Sequence, residues 1–335
     1  MSDDRYLWDP SGPPDPEVER LERLLAPLGH RSLPLPLPLV SRRRGWALAL
    51  AAAALAAAAI AVTVISLRAP RAWEVRSLAG APRLAGRPLA GRATIRGGDS
   101  LVTDGGSAAW IAVGNIGAVE LGPGSRLRVL ATRAPEHRLA LDRGNLEARV
   151  VAPPRQFSVE TPSGTAVDLG CVYDLEVDGL GQSTLTVIVG WVSFEQSGRE
   201  TFVPAGARCA TRGGSGVGTP YFTDASAAFK NALAEVDLAG ANLAGPPAAA
   251  LDLVLAHARR EDAFSLWHLL SRLSGEARGR VADRLAILVP MPAGVTRAGV
   301  LAGDRTMLDR WWDALGFGAS ADWRRWKGPW PGAGR

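Results

Sequence analysis

One stretch of this chain carries no charge for longer than a soluble helix usually can. From residue 45 to residue 67 the sequence reads GWALALAAAALAAAAIAVTVISL, with Arg42, Arg43 and Arg44 before it and Arg68 and Arg71 after it. As a helix rising ~1.5 Å per residue, the part from Trp46 onward would reach about 33 Å, the thickness of a bilayer's hydrocarbon core. Alanine inserts weakly, but the Leu, Ile and Val residues contribute roughly −2 to −5 kcal/mol in total if centrally placed. A helix buried in a soluble domain would show a polar stripe, and a cleaved signal would not follow 41 residues of preceding chain. The run therefore reads as one transmembrane helix, 45–67, with the bilayer itself as a partner. The triple Arg places the N-terminus in the cytoplasm and residues 68–335 outside it. Arg68, Arg71, Arg76, Arg83 and Arg87 nearly balance that count, but a long trailing domain translocates largely regardless of charge.

Residues 1–41 form a short, net acidic cytoplasmic segment. DPEVERLERLLAPLG has the grammar of a helix start: Asp15 as N-cap, Pro16 at the first position, Glu17 and Glu19 in the first turn. Val18, Leu21, Leu25 and Leu28 then recur on one helical face. Nothing else in residues 1–41 can cover that stripe, and Tyr6 and Trp8 add apolar surface near it. These six residues are the candidate partner contacts of a segment that orders on binding. A helix lying on the membrane surface, or a solvated tail, fits the same residues. LPLPLPL at residues 33–39 makes a stiff polyproline spacer toward the bilayer.

Over residues 95–212 the period changes to two. SAAWIAV, GAVEL, SRLRVL, HRLAL, NLEARVV, QFSVET, GTAVDL, CVYDLEV, STLTVIV and WVSFE follow one another, separated by Gly or Pro turns. That spacing predicts an all-β domain, a sandwich or a solenoid-like stack. In CVYDLEV the apolar phase holds Cys171, Tyr173, Leu175 and Val177, leaving Asp174 and Glu176 on the other face. Cys209 falls in the apolar phase of ARCAT. Both cysteines thus point into the core, either as a Cys171–Cys209 disulfide outside the cytoplasm or as two buried thiols.

The order of these elements resembles the FecR domain. RGGDSLVTDGGSAAWIAVGNIGAVELGPGSRLRVL, then LALDRGNLEARV, then FSVETPSGTAVDLGCVYDLEVDGLGQSTLTVIVGWVSFE carry the likeness. The resemblance implies an all-β extracytoplasmic domain, tethered by one helix in the bacterial inner membrane, that relays a signal to a cytoplasmic sigma factor. Two features differ from the family pattern. The cytoplasmic segment has one predicted helix rather than several, and the tail reads helical rather than as a small α/β domain.

GGSGVG at residues 213–218 reads as a flexible hinge. Residues 222–316 follow as an α-helical region, with helices expected near 224–237, 247–260, 262–274, 276–288 and 304–315. Phe264, Trp267, Leu270 and Leu273 would make a core face there. Residues 317–335 form a Trp- and Arg-rich tail, read as a frayed terminus or, alternatively, as a stretch suited to an anionic polymer or membrane surface.

Charge and motifs narrow the function classes. The net charge of +5 has no basic stripe, so no nucleic-acid partner is expected. His257, Glu261 and His268 lack the spacing of a metal site. No nucleophile elbow or phosphate loop occurs, so the reading is non-enzymatic, without cofactor, metal or catalytic residues. Thr161, Ser163 and Thr165 in TPSGT are read as turn residues. The leading expectation is a membrane-anchored regulator. The alternative is an envelope scaffold whose β-domain and tail bind cell-wall polymer or another envelope protein.

Overall fold

The computed structural model describes residues 15–28, 51–59, 72–133, 136–197, 199–212, 216–239 and 246–317. The chain divides into two units, residues 1–65 and 66–335. In the first unit, α1 (Pro16–Leu25) begins as expected. The Asp15 side chain accepts the Glu17 N–H at 2.8 Å, Pro16 opens the helix, and a 3₁₀ turn at Ala26–Leu28 follows it. Within the uncharged run, residues 51–59 form a helical stretch, α2, with every residue exposed. The rest of 45–67 lies outside the described residues, as do Tyr6, Trp8, the 33–39 spacer and residues 318–335. Among the described residues no helix is long and apolar enough to cross a membrane.

The second unit is built on strands. In chain order they are β1 (Trp73–Ala79), β2 (Arg83–Leu84), β3 (Arg87–Pro88), β4 (Arg92–Ile95), β5 (Ser100–Val102), β6 (Ala108–Val113), β7 (Gly117–Leu121), β8 (Arg126–Arg133) and β9 (Glu136–Val150). Then come β10 (Phe157–Thr161), β11 (Gly164–Asp168), β12 (Cys171–Val177), β13 (Ser183–Val189), β14 (Trp191–Gln196), β15 (Arg199–Pro204), β16 (Ala207–Arg212), β17 (Gly216–Val217) and β18 (Tyr221–Phe222). One sheet runs β4-β1-β6-β7-β9-β12-β13-β16-β18. The other runs β3-β2-β5-β8-β9-β10-β11-β14-β15, with β9 and β10 parallel and its other pairs antiparallel.

Strand β9 belongs to both sheets, and this corrects the sequence reading. HRLAL and NLEARVV were expected as two strands with a turn between them. They are instead one fifteen-residue strand, paired through Glu136–Arg143 in the second sheet and through Gly144–Val150 in the first. The switch falls on Gly144, whose φ is +92° and where a Cβ would run into Ser125. Only glycine combines that backbone angle with so close a neighbour.

Both inner faces feed one core. Leu101, Leu127, Phe157 and Phe194 from the second sheet meet Ile111, Val119, Leu146, Tyr173 and Leu175 from the first. The β-unit is thus largely antiparallel and wraps a shared interior rather than stacking repeated coils. The alternation in CVYDLEV holds, with Cys171, Tyr173, Leu175 and Val177 buried and Asp174 and Glu176 exposed. The unit begins earlier than residue 95: β1 pairs with β4 and β6, and its Trp73 and Val75 are core residues.

The helical region is α3 (Ala227–Ala239), α4 (Ala248–His257), α5 (Ala263–Leu270), α6 (Gly275–Leu288), α7 (Arg297–Ala302) and α8 (Arg305–Ala314). Five of these match expected helices. The short α7, capped by Thr296 and ended by Gly303 at φ 76°, was not foreseen. The expected hinge is also corrected over its described half, because Gly216–Val217 pair as β17 with Thr211–Arg212. Arg272 then donates to the Val217 carbonyl at 2.6 Å and the Gly218 carbonyl at 2.7 Å, tying the helices to the sheet. On α8, Trp311 enters the helical core and its neighbour Trp312 enters the β core. The helical region is therefore joined to the β-unit rather than hung from a linker.

Candidate functional site

The apolar stripe on α1 is present and open. Leu21, Leu25 and Leu28 are 56%, 56% and 80% exposed, and Val18 is half-buried on the same face. Leu24, missed in sequence, is 67% exposed and belongs with them. At ~100° per residue the five apolar side chains fall within an arc of roughly 120°, the width of a face that normally packs against something. Charged neighbours do little here, since the Arg23–Glu19 pair is exposed.

The two cysteines lie in different places, both buried as free thiols. Leu185 on β13 pairs with Leu175 on one side and with Cys209 on the other. Cys171 is four residues along β12 from Leu175, so its Cα is on the order of 16 Å from that of Cys209, counting rise and strand spacing. A disulfide needs about 4.4–6.8 Å. Inward phase on two strands places both side chains in one core, but it does not make them neighbours. Burial raises the Cys209 thiol to about 12, and its Sγ donates to the Gly218 carbonyl at 3.2 Å. Burial and the neighbouring Asp168 carboxylate push the Cys171 thiol higher still. Neither is a ready nucleophile at neutral pH.

TPSGT proves to be more than a turn. Ser163 Oγ lies 2.7 Å from both Ser183 Oγ and Thr211 Oγ1, and Ser183 Oγ donates to Thr161 Oγ1 at 2.8 Å. Thr211 Oγ1 also accepts the Ser183 N–H at 2.7 Å. These hydroxyls clamp the β10–β11 hairpin of one sheet onto β13 and β16 of the other. Thr211→Val keeps the shape but strands the buried Ser183 N–H. It should cost about 1–3 kcal/mol, read as a lower urea midpoint with an unchanged slope.

The outward phase of the first sheet builds a polar groove. Glu120, Glu147, Asp174, Thr186 and Arg208 are successive cross-strand partners on β7, β9, β12, β13 and β16. With Asn145, Glu176 and Thr184 they line an open groove of about 380 Å³. Partial burial and the Glu147 carboxylate raise the pKa of Asp174, while Arg149 and Arg208 oppose the rise. The sequence placed Asp174 and Glu176 on the outer face, but the strand pairings that bring Glu120 and Glu147 beside them are not local.

Among the described residues no group of three His, Cys, Asp or Glu side chains is placed to hold a metal ion. His268 is buried edge-on against Trp267 and Trp312, and burial beside Arg272 lowers its pKa to about 3.

Comparison with known proteins bears on the β-unit. No curated protein matches the chain. Two crystal structures of a proposed anti-sigma factor from Parabacteroides distasonis are similar over part of it, each with 14% identity and a TM-score of 0.33. The alignments cover 41% of this chain and 64% of that one, so this chain spans less than two thirds of that protein's length. A family model described as FecR protein matches residues 99–193, from the residue before β5 to the middle of β14. The region whose sequence resembles that family is thus a FecR domain, set within a β-unit that extends beyond it on both sides.

Proposed function

We propose that this chain is a FecR-domain regulator. Its β-unit responds to a condition outside the cytoplasm, and α1 presents the response to a cytoplasmic partner, a sigma factor. Residues 45–67 anchor it in the inner membrane with the N-terminus inside. The observation that carries this reading is the FecR match at residues 99–193 in a chain whose α1 displays an uncovered leucine face. A groove that buries Leu21 and Leu25 would gain roughly 1.5–3 kcal/mol from each, in the manner of other helix-in-groove complexes. The Arg-flanked uncharged run supplies the tether. The family's regulatory role makes catalysis unnecessary to the proposal.

Leu21→Asp with Leu25→Asp tests it. Both residues are solvent-exposed, so the β-unit should fold unchanged. Capture of a sigma factor by the full chain in detergent should fall by at least about a hundredfold, as two anchors are lost and two charges face an apolar groove. The transcripts of that sigma factor's regulon should change with it. Equal capture and unchanged transcripts would refute the relay.

A further inference from the structure

The corner where the chain crosses between sheets holds a carboxyl that the proposed relay does not use. Asp168 ends β11 in one sheet and Cys171 opens β12 in the other. The return crossing, from β13 to β14, runs alongside, with the Leu169 N–H donating to the Trp191 carbonyl at 3.2 Å. Gly190, at φ +77°, sits so close that a Cβ would run into the Gly170 carbonyl. Trp191 in turn meets Trp312 and Phe317 edge-on, with ring centroids 6.1 and 5.9 Å away.

Asp168 is 0% exposed. Its carboxyl accepts the Gly170 N–H at 2.9 Å and is hydrogen-bonded to the Cys171 thiol, both neutral groups. Tyr173, the next inward residue of β12, is fully buried and its hydroxyl has no hydrogen-bond partner. Among the described residues, the other elements packed on the corner bring no counter-charge. β14 pairs Val192 with Asp168, and the end of β9 pairs Val150 with Cys171. Arg155 offers only its backbone N–H to the Asp168 carbonyl, its guanidinium being held by Glu195 and Glu200.

We infer that Asp168 is a proton-operated latch on this corner: protonated, it lets the two crossings stay packed, and ionised, it favours their opening to water. A charge here has neutral donors but no cation, so hydration in an opened corner is its best relief. Loss of the proton to solvent is the only chemical step. Burial raises the Asp168 pKa from 3.8 to about 6. Between those values the folded state holds a proton that the open state releases, so closure weakens as pH rises from about 4 to about 6 and is level above that. The inference is independent of what α1 binds.

The two thiols allow the corner to be read against an internal control. The full-length protein in detergent is treated with a pyridyl disulfide, which reacts at acid pH, and labelling of Cys171 and Cys209 is followed by peptide mass spectrometry. The ratio of Cys171 to Cys209 labelling rates should rise at least about tenfold between pH 4.5 and 7.5. In Asp168→Asn it should stay flat. A flat ratio in the wild-type protein would overturn the latch whatever the variant does. An equal rise in Asp168→Asn would overturn it too, assigning the opening to another group.

Discussion

Arg272→Met should lower the melting temperature of residues 66–335 by about 10 °C, corresponding to a loss of roughly 3–5 kcal/mol. Its guanidinium donates to the Val217 and Gly218 carbonyls and to Thr201 Oγ1 at 2.9 Å, and lies 3.6 Å from the Asp237 carboxylate. Asp237 accepts both the N–H and the hydroxyl of Thr219 at 2.6 Å. Four segments therefore meet on one buried cation: the β15 edge, the stretch around β17, helix α3, and the turn just after α5 that carries Arg272. Burial lowers the Arg272 pKa and Asp237 opposes that fall. Removing the arginine leaves an uncompensated buried carboxylate and takes a charged donor from two buried carbonyls, Gly218's keeping only the Cys209 thiol. Adding Asp237→Asn should restore part of the loss, since the amide oxygen can still serve Thr219 and no charge is stranded. If the single variant melts like the wild type, the helical region is not anchored through this residue. Scanning calorimetry would show it directly.

Trp312→Ala should cost a similar amount, about 3–5 kcal/mol, by opening a cavity on the β side of α8. The Trp312 ring sits among Trp267 at 4.7 Å, Trp191 at 6.1 Å and Phe202 at 6.0 Å between centroids. Its neighbour Trp311 faces the other core and donates its indole N–H to the Val289 carbonyl at 3.1 Å. Loss of Trp312 should thus uncouple the two cores while sparing the helical one. Urea unfolding followed by tryptophan fluorescence and by circular dichroism should then split into two transitions. Trp312→Phe, which keeps an aromatic ring there, should retain one. A single unshifted transition in Trp312→Ala would show that α8 does not stitch the cores together.

How legible this was in the sequence differs by element. β12 and β13 coincide with CVYDLEV and STLTVIV to the residue, because period-two alternation is local and one face of each strand is buried. α1 was legible for the same reason: Asp15, Pro16 and the leucine spacing all lie within fourteen residues. β9 was not, because a glycine between two alternating runs looks like a turn. The distinction depends on Ser125, far away in sequence, occupying the space where a Cβ would point. TPSGT likewise read as turn chemistry, and its partners Ser183 and Thr211 lie on strands that no spacing links to it. The two cysteines were correctly turned inward, but inward phase says nothing about position along the strand.

The sequence by itself determined the local grammar of this protein: the helix start at Asp15, the faces of the strands, five of the six tail helices, and the order of elements that marks residues 99–193 as a FecR domain. Those properties follow from backbone dihedral preference and from which side chains avoid water, both of which act over a few residues. Only the tertiary structure decided that β9 serves two sheets, that Cys171 and Cys209 stay apart, that Asp168 is sealed at a crossing without a cation, and that Arg272 and Trp312 bind the helices to the sheets. Each of these depends on contacts between residues distant in the chain, whose energies come from the packing of the whole unit rather than from any neighbouring sequence.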